Sequence, residues 1–398
     1  MHATHLINNH LQRTCQGIHT KRMSALMSMV SACIQGKKLS VTGLGRAIKN
    51  TVFEKHNIKR SDRLIGNPTL NQERTLIYRT LASWIIGRQK QPVILIDWSD
   101  LSADGKFHLL RASLPVGGRA LTLYDEVHPQ KQANNSHIEK HFLNKLSAIL
   151  PRHCRPIMIT DAGFRTPWFR AVQAMGWDFV GRVGGQTMIS PQSKADWIRV
   201  EPIFETATTR PRYLGFIDLV RRSPLACHAY LLKRKKQGRI KKTVFGQRSA
   251  MIHSKKNAQR ERTPWLIVTS LDGGASITKK VMNLYKTRMQ IEEGFRDIKN
   301  SRWGFSLDEA RVSTTYRYEN LLLVGALATF AIWLTGKIAE LKNVHRRYQA
   351  NTIKTRNVLS TFYLGCQVLK KEAMVFQRQD YHQALIALRY QFEEQCYV

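Results

Sequence analysis

Two short apolar runs, "VILI" at residues 93–96 and "IMIT" at 157–160, each stop at an aspartate, Asp97 and Asp161. Short apolar runs bounded by turn residues are the pattern of buried strands. A chain that holds several of them has to cover a sheet with helices. The neighbouring segments supply that cover. "FHLLRASLPVGG" and "RALTLYDEVH" read as two more strands, joined at Gly117–Gly118. "SHIEKHFLNKLSAIL" and "TPWFRAVQAMG" read as helices flanking the second run, and "WDFVGRVGG" as the strand after them. Three neighbouring strands, a helix, a strand, a helix and a strand predict a mixed α/β core.

The flanks differ from this core. Residues 1–88 read as short basic helices. They include "LSVTGLGRAIKN", with Ser40 or Thr42 as cap, and "KHNIKRSDRLIGNPTL", which gathers Lys55, Lys59, Arg60 and Arg63. Short cation-lined helices joined by small turns resemble a helix-turn-helix DNA reader; a helical bundle with a basic face has the same text. Residues about 190–275 hold short apolar runs, turn residues and no long helical pattern, which predicts a β-rich insertion. Between Lys233 and Arg262 it carries twelve Lys or Arg against one acid, Glu261, so a basic, partly mobile loop is expected there. Residues beyond about 310 read as helical. "LLLVGALATFAIWLTG" is uncharged for 16 residues, short of the ~20 a membrane span needs, and is expected as a buried core helix.

Charge narrows the function. With 63 Lys and Arg against 28 Asp and Glu, the net charge is +35. Such an excess opposes compaction and favours a polyanionic partner. The cations are spread along the whole chain rather than confined to one amphipathic helix, so nucleic acid fits better than an anionic membrane. None of the six cysteines forms a C-x-x-C pair, which leaves no zinc knuckle or thioredoxin-like motif. Scattered cysteines suit a reducing cytoplasm. The N-terminus has no apolar stretch of secretory type, so no signal peptide is expected.

Acids are scarce, so their placement is informative. "YKTRMQIEEGFRDIK", Tyr285 to Lys299, is expected as one helix. At about 100° per residue, Tyr285, Arg288, Glu292 and Lys299 share one stripe, while Glu293 and Asp297 point elsewhere. An ordinary solvated face with an Arg288–Glu292 pair at i,i+4 would look the same. Likewise, Asp97 or Asp161 alone can be a helix cap or turn former. If the two strands are neighbours, their carboxylates sit side by side and need a cation between them. An oxygen-only site suits Mg²⁺ or Mn²⁺, and Glu292 would complete it. Arg288 and Lys299 would then hold DNA phosphates, with Tyr285 donating to another.

Asp, Asp and Glu on a ribonuclease-H-like core, with the Glu inside Y-x2-R-x3-E-x6-K, resemble the bacterial insertion-sequence DDE transposases of the cut-and-paste group, insertion sequence family four. Tyr285, Arg288, Glu292 and Lys299 match that spacing without a gap. "IDWSD" and "TDAGF" around Asp97 and Asp161 are similar to the family's text, as are "KHNIKRSDRLIGN" and "ANTIKTRNVLSTFYLG". The likeness covers nearly the whole chain. Gly294 and Asn300 depart from it as small choices beside the signature.

The resemblance implies a ribonuclease-H-like mixed-sheet core with a β-rich insertion domain, flanked by helical regions. Its domains would be 1–88 for inverted-repeat recognition, 89–190 and 277–330 for the catalytic core, 191–276 for the insertion, and 331–398 for a helical C-terminal region. Asp97, Asp161 and Glu292 would hold two Mg²⁺ ions, with Mn²⁺ as substitute. Tyr285, Arg288 and Lys299 would hold phosphates, and Trp265 would stack on a flipped base; a core Trp on a strand is the other reading of that residue. The implied partners are double-stranded DNA, as transposon ends and target, and a second copy in a homodimer, with no membrane. The implied place is the bacterial cytoplasm at the nucleoid. The implied chemistry is excision through a DNA hairpin and joining of 3′-OH ends to target. The rivals are a structure-selective metal-dependent nuclease and an inactive derivative acting as a repressor.

Overall fold

Five helices open the chain: α1 (Ala3–Thr14), α2 (Thr20–Gly36), α3 (Val41–Arg46), α4 (Glu54–Ile65) and α5 (Pro68–Ile86). The computed structural model describes residues 3–397 apart from 103, 192–195, 235–262, 303, 351, 354 and 372–374. Of the two cap candidates, Ser40 caps α3 by accepting from the Gly43 amide at 3.2 Å. Asn67 caps α5, with Pro68 in its first turn. The chain divides into two compact units, Met1–Pro156 with Thr287–Cys396, and Ile157–Lys286 with Tyr397–Val398.

In the first unit, β1 (Val93–Asp100), β2 (Phe107–Pro115) and β3 (Ala120–Pro129) form an antiparallel sheet in chain order. The β2–β3 turn is the expected glycine pair. Gly117 and Gly118 both have positive φ, 64° and 92°, which a two-residue hairpin requires and glycine supplies without strain. Helix α6 (Ser136–Ile149) follows. The later part of this unit contributes α10 (Met289–Lys299), α11 (Thr315–Leu341), α12 (Thr361–Lys371) and α13 (Arg378–Tyr397).

Helix α11 contains the uncharged run. By length and composition it could cross a membrane, yet 89% of its most apolar window is buried, packed against α1, α2, α5, α12 and β3. It is apolar all round because it is the core of this unit. It meets α12 at a glycine pair. A Cβ on Gly336 would overlap the Thr361 carbonyl, and one on Gly365 the Ile332 carbonyl. Buried Asn320 of α11 donates to the carbonyls of Ile65 and Asn67 at 2.9 and 3.1 Å, tying the α4–α5 corner to the core.

In the second unit, β4 (Ile157–Thr160) pairs in parallel with β5 (Asp178–Val183), and α7 (Thr166–Ala174) connects them. Strands β6 (Met188–Pro191), β7 (Ile198–Arg199), β8 (Arg212–Leu219), β9 (Leu225–Leu232) and β10 (Trp265–Thr269) extend the sheet in the order β4-β5-β10-β9-β8-β6-β7. Short α8 (Val200–Ile203) lies within this run, and α9 (Thr278–Lys286) closes the unit. β10 is entirely buried and pairs antiparallel with both β5 and β9, so the expected insertion shares a sheet with core strands. Most of the expected basic loop, 235–262, lies outside the described residues. The described residues thus form a mixed α/β fold, and β1 to β5 follow the strand and helix order expected of a ribonuclease-H-like core.

Candidate active site

Strand β1 runs three residues past its expected end. Asp97 to Asp100 pair with Arg111 to His108 of β2, while burial fades from Trp98 onward. Pairing therefore outlasts the apolar run that signalled the strand. Asp97 faces Arg111 on β2, and Arg111 faces Asp125 on β3. Facing positions share a sheet face, so the three charges form a row across the sheet. Arg111 forks onto Asp125, with Nε to Oδ1 at 2.6 Å and Nη2 to Oδ2 at 2.8 Å. Both residues are buried, at 3% and 0% exposure, where an ion needs a partner. Arg74 adds a hydrogen bond to the Asp125 carbonyl at 2.8 Å and pairs with Glu319 at 3.2 Å.

The expected single helix from Tyr285 to Lys299 is two. Helix α9 ends at Lys286 and α10 starts at Met289, with a turn at Thr287–Arg288 bridged by Gln290 N–H to Thr287 O at 2.9 Å. The charges suit the break. Lys286 sits in the last turn of α9, Glu292 in the first turn of α10, and Arg296 and Lys299 in its last. Each helix thus complements its own dipole. Tyr285 belongs to α9, while Arg288, at the N-cap, and Glu292 and Lys299 belong to α10.

Helix α10 contacts β1, β2 and β3. Arg288 bridges two acids, with Nη1 donating to Asp97 Oδ2 at 3.3 Å and Nη2 to Glu292 Oε1 at 2.5 Å. Lys299 Nζ donates to Ser99 Oγ at 2.9 Å and to the Asp100 carbonyl. Burial lowers the Lys299 pKa against the pull of Asp308 and Asp100. Phe295 lies beneath Arg111 and Lys299, 5.3 and 5.9 Å from their cationic centres. Gly294 packs on Ala120 in ordinary contact range. The β2–β3 turn grips the outer side of the helix. Gly118 N–H donates to Gln290 Oε1 at 3.0 Å, and Arg119 pairs with Asp297 at 2.7 Å. Burial raises the Asp297 carboxyl to about 6 despite Arg119. Glu293 pairs with Arg296 at 2.7 Å, away from Asp97 as the helical spacing predicts.

The remaining site residues belong to the second unit. Asp161 follows β4, and its Oδ1 accepts from the Gly163 amide at 2.8 Å, shaping the turn into α7. Trp265 opens β10 and is buried, with Tyr285 edge-on at 4.9 Å between ring centroids and Arg234 over its face at 5.0 Å. Tyr285 is also buried. The structure thus joins Asp97, Arg288 and Glu292 in one unit, and Trp265 with Tyr285 in the other.

Two carboxylates that converge on one guanidinium can also converge on a hard divalent cation, because every donor is oxygen. The residues fit such an ion in kind. Among the described residues, no three Asp, Glu, His or Cys side chains are gathered as a ready-made metal cluster. Sequence reasoning missed Arg111 and Asp125. Their signal was present as one cation in "FHLLRASLP" and one acid in "ALTLYDEVHP", since charges inside apolar strands call for partners.

The family model described as "Transposase DDE domain" matches residues 88–329. Among solved structures, the chain is similar to one titled "Cryo-EM structure of piggyBac transposase synaptic complex with hairpin DNA", at 12% identity and a TM-score of 0.40, covering 93% of this chain and 76% of that one. No curated protein matches the chain.

Proposed function

Since the chain belongs to the DDE transposase domain family, we propose that it is a cut-and-paste transposase of insertion sequence family four. It would bind the inverted-repeat ends of its element and act from the bacterial cytoplasm at the nucleoid. The observation that carries this reading is the convergence of Asp97 and Glu292 on Arg288, inside the span of the family match. Asp161, at the end of a buried strand, is the third carboxylate.

Asp97, Asp161 and Glu292 would hold two divalent ions, Mg²⁺ or Mn²⁺. When bound, such ions polarise the scissile phosphate and favour ionisation of the attacking oxygen. The chain's own part is positioning and charge neutralisation, which dominate phosphoryl transfer. Arg288 and Lys299 exchange their present partners for DNA phosphates, and Tyr285 donates to another. A water oxygen attacks phosphorus at the element end and the 3′-oxygen leaves as a free hydroxyl. That 3′-OH attacks the opposite strand, closing a hairpin and releasing flanking DNA. Water reopens the hairpin, and the 3′-OH then joins target DNA. Trp265 stacks on the base displaced at the hairpin tip once Arg234 leaves its face; stacking of this kind contributes roughly 1–3 kcal/mol per base. Two copies act together, with α12 and α13 as part of the contact.

The test is a labelled element end incubated with the protein and Mg²⁺, resolved on a denaturing gel. A nick followed by a hairpin, both lost in Glu292→Ala, is the expected result. Cutting without a hairpin or strand transfer would indicate a nuclease. Binding without any product, with Mn²⁺ also tried, would indicate a repressor.

A further inference from the structure

Helix α4 presents an unusual start. Its N-cap residue is Phe53, whose side chain makes no capping hydrogen bond and is 76% exposed, next to Val52 at 50%. Each fact is a local cost. An apolar residue at this position leaves first-turn amides uncapped, which Asn, Asp or Ser would satisfy. An exposed phenyl ring orders water without burying area. The ring's neighbour is His56, tilted at 6.4 Å, a contact too slight to offset both.

The rest of α4 shows what such a ring could meet. Its inner face is committed. Asn57, Ser61, Leu64 and Ile65 are buried, Asp62 pairs with Arg317, and Asn320 takes the Ile65 carbonyl. Gly45 of α3 lies so close that a Cβ there would sit 2.5 Å from the Ile58 Cα, so the α3–α4 corner is tightly crossed. The outer face carries Lys55, Lys59 and Arg63, exposed at i, i+4 and i+8 and without an acidic partner among the described residues. This is a stripe of unneutralised cations with an apolar ring at its N-terminal end.

We propose that α4 docks on duplex DNA, with Lys55, Lys59 and Arg63 on phosphates and Phe53, backed by Val52, as an apolar wedge against the bases. This rests on the transposase reading and adds to it the residue that contacts bases. In helix-turn-helix readers the N-terminal residues of the second helix approach base edges in the major groove, where an apolar side chain can press on the thymine methyl. Phosphate contacts fix register, while base contacts carry sequence information. The chain's net charge of +35 selects a polyanion over an apolar partner for this face.

The experiment uses the full chain carrying Glu292→Ala, so that no product forms, and a short fluorescent duplex of the element's terminal DNA, titrated at several salt concentrations. Phe53→Ala is expected to weaken binding about tenfold, the size of one lost base contact, with an unchanged salt slope, because no cation is lost. Lys59→Ala and Arg63→Ala should each lower that slope by about one. Phe53→Trp should show emission quenched by the duplex beyond the change seen in the parent chain, whose eight tryptophans set the baseline. Phe53 is exposed, so these variants are expected to keep the wild-type circular dichroism. If the lysine and arginine variants change the slope while both Phe53 variants are silent, the wedge is wrong and the DNA-binding reading stands. Absence of duplex binding by the parent chain would remove both. A Phe53→Trp signal that responds to anionic lipid vesicles or to protein concentration, and not to duplex, would assign the ring to a membrane or a second copy and overturn the proposal.

Discussion

Arg288 Nη1 stands 3.3 Å from the Asp97 carboxylate although 191 residues separate the two in sequence. The same guanidinium holds Glu292. One organic cation therefore lies between two acids proposed as metal ligands. Arg288→Ala should free both carboxylates and raise affinity for Mn²⁺ in the DNA-free chain several-fold, since a competing positive charge is removed. Calorimetric titration, or loss of the free Mn²⁺ resonance signal, would measure it. Weaker Mn²⁺ binding in the variant would mean that Arg288 organises the acids without competing for them. Binding of duplex DNA should fall in the same variant.

Arg111 and Asp125 form a buried ion pair. Removing one member strands the other charge, at a cost of about 3–5 kcal/mol. Arg111→Met is expected to lower the urea midpoint strongly, and adding Asp125→Leu should recover much of the loss. A single variant as stable as the parent would show that Arg74 alone satisfies Asp125.

Glu126 gives a pH prediction. Burial opposes its ionisation, yet hydrogen bonds from His128, Lys145 and Tyr124 win and hold it at about 2, below its ordinary 4.5. The folded value is depressed, so the stabilisation is complete above the unfolded value and fades as pH falls from about 4.5 toward 2. The size is on the order of 3 kcal/mol. Glu126→Gln should be less stable at neutral pH and lose less of its remaining stability on acidification. Parallel curves of stability against pH for variant and parent would contradict the assignment.

The glycine pair between α11 and α12 leaves no room for a methyl group against backbone. Gly336→Ala is expected to cost at least 1–3 kcal/mol, the range for overpacking a core, seen as a clear fall in melting temperature. Gly294→Ala, beside open contact distances, is the control and should change little.

Much of this was legible beforehand. The strands ending near Asp97 and Asp161, the Gly117–Gly118 turn and the buried helix after Tyr316 all follow from local patterning. Arg288 and Glu292 were readable as neighbours because helical spacing is local. The bridge to Asp97 was not, since it depends on which sheet face α10 covers. Nor was the row Asp97, Arg111, Asp125, which requires strand register. The single-helix expectation failed at Thr287 because the apolar periodicity continues through the turn and so does not mark it. Tyr285 illustrates the cost: its spacing matches the signature, while its side chain packs on Trp265.

The turn at Thr287–Arg288 divides the signature between two compact units. Residues three positions apart in the sequence therefore belong to separately packed units. Compact units of one chain can open with different free energies. Backbone amides of α9 and α10 should then exchange with deuterium in two distinct protection classes, with the step at Thr287. A motif read as one word in the sequence would be recorded by the solvent as two.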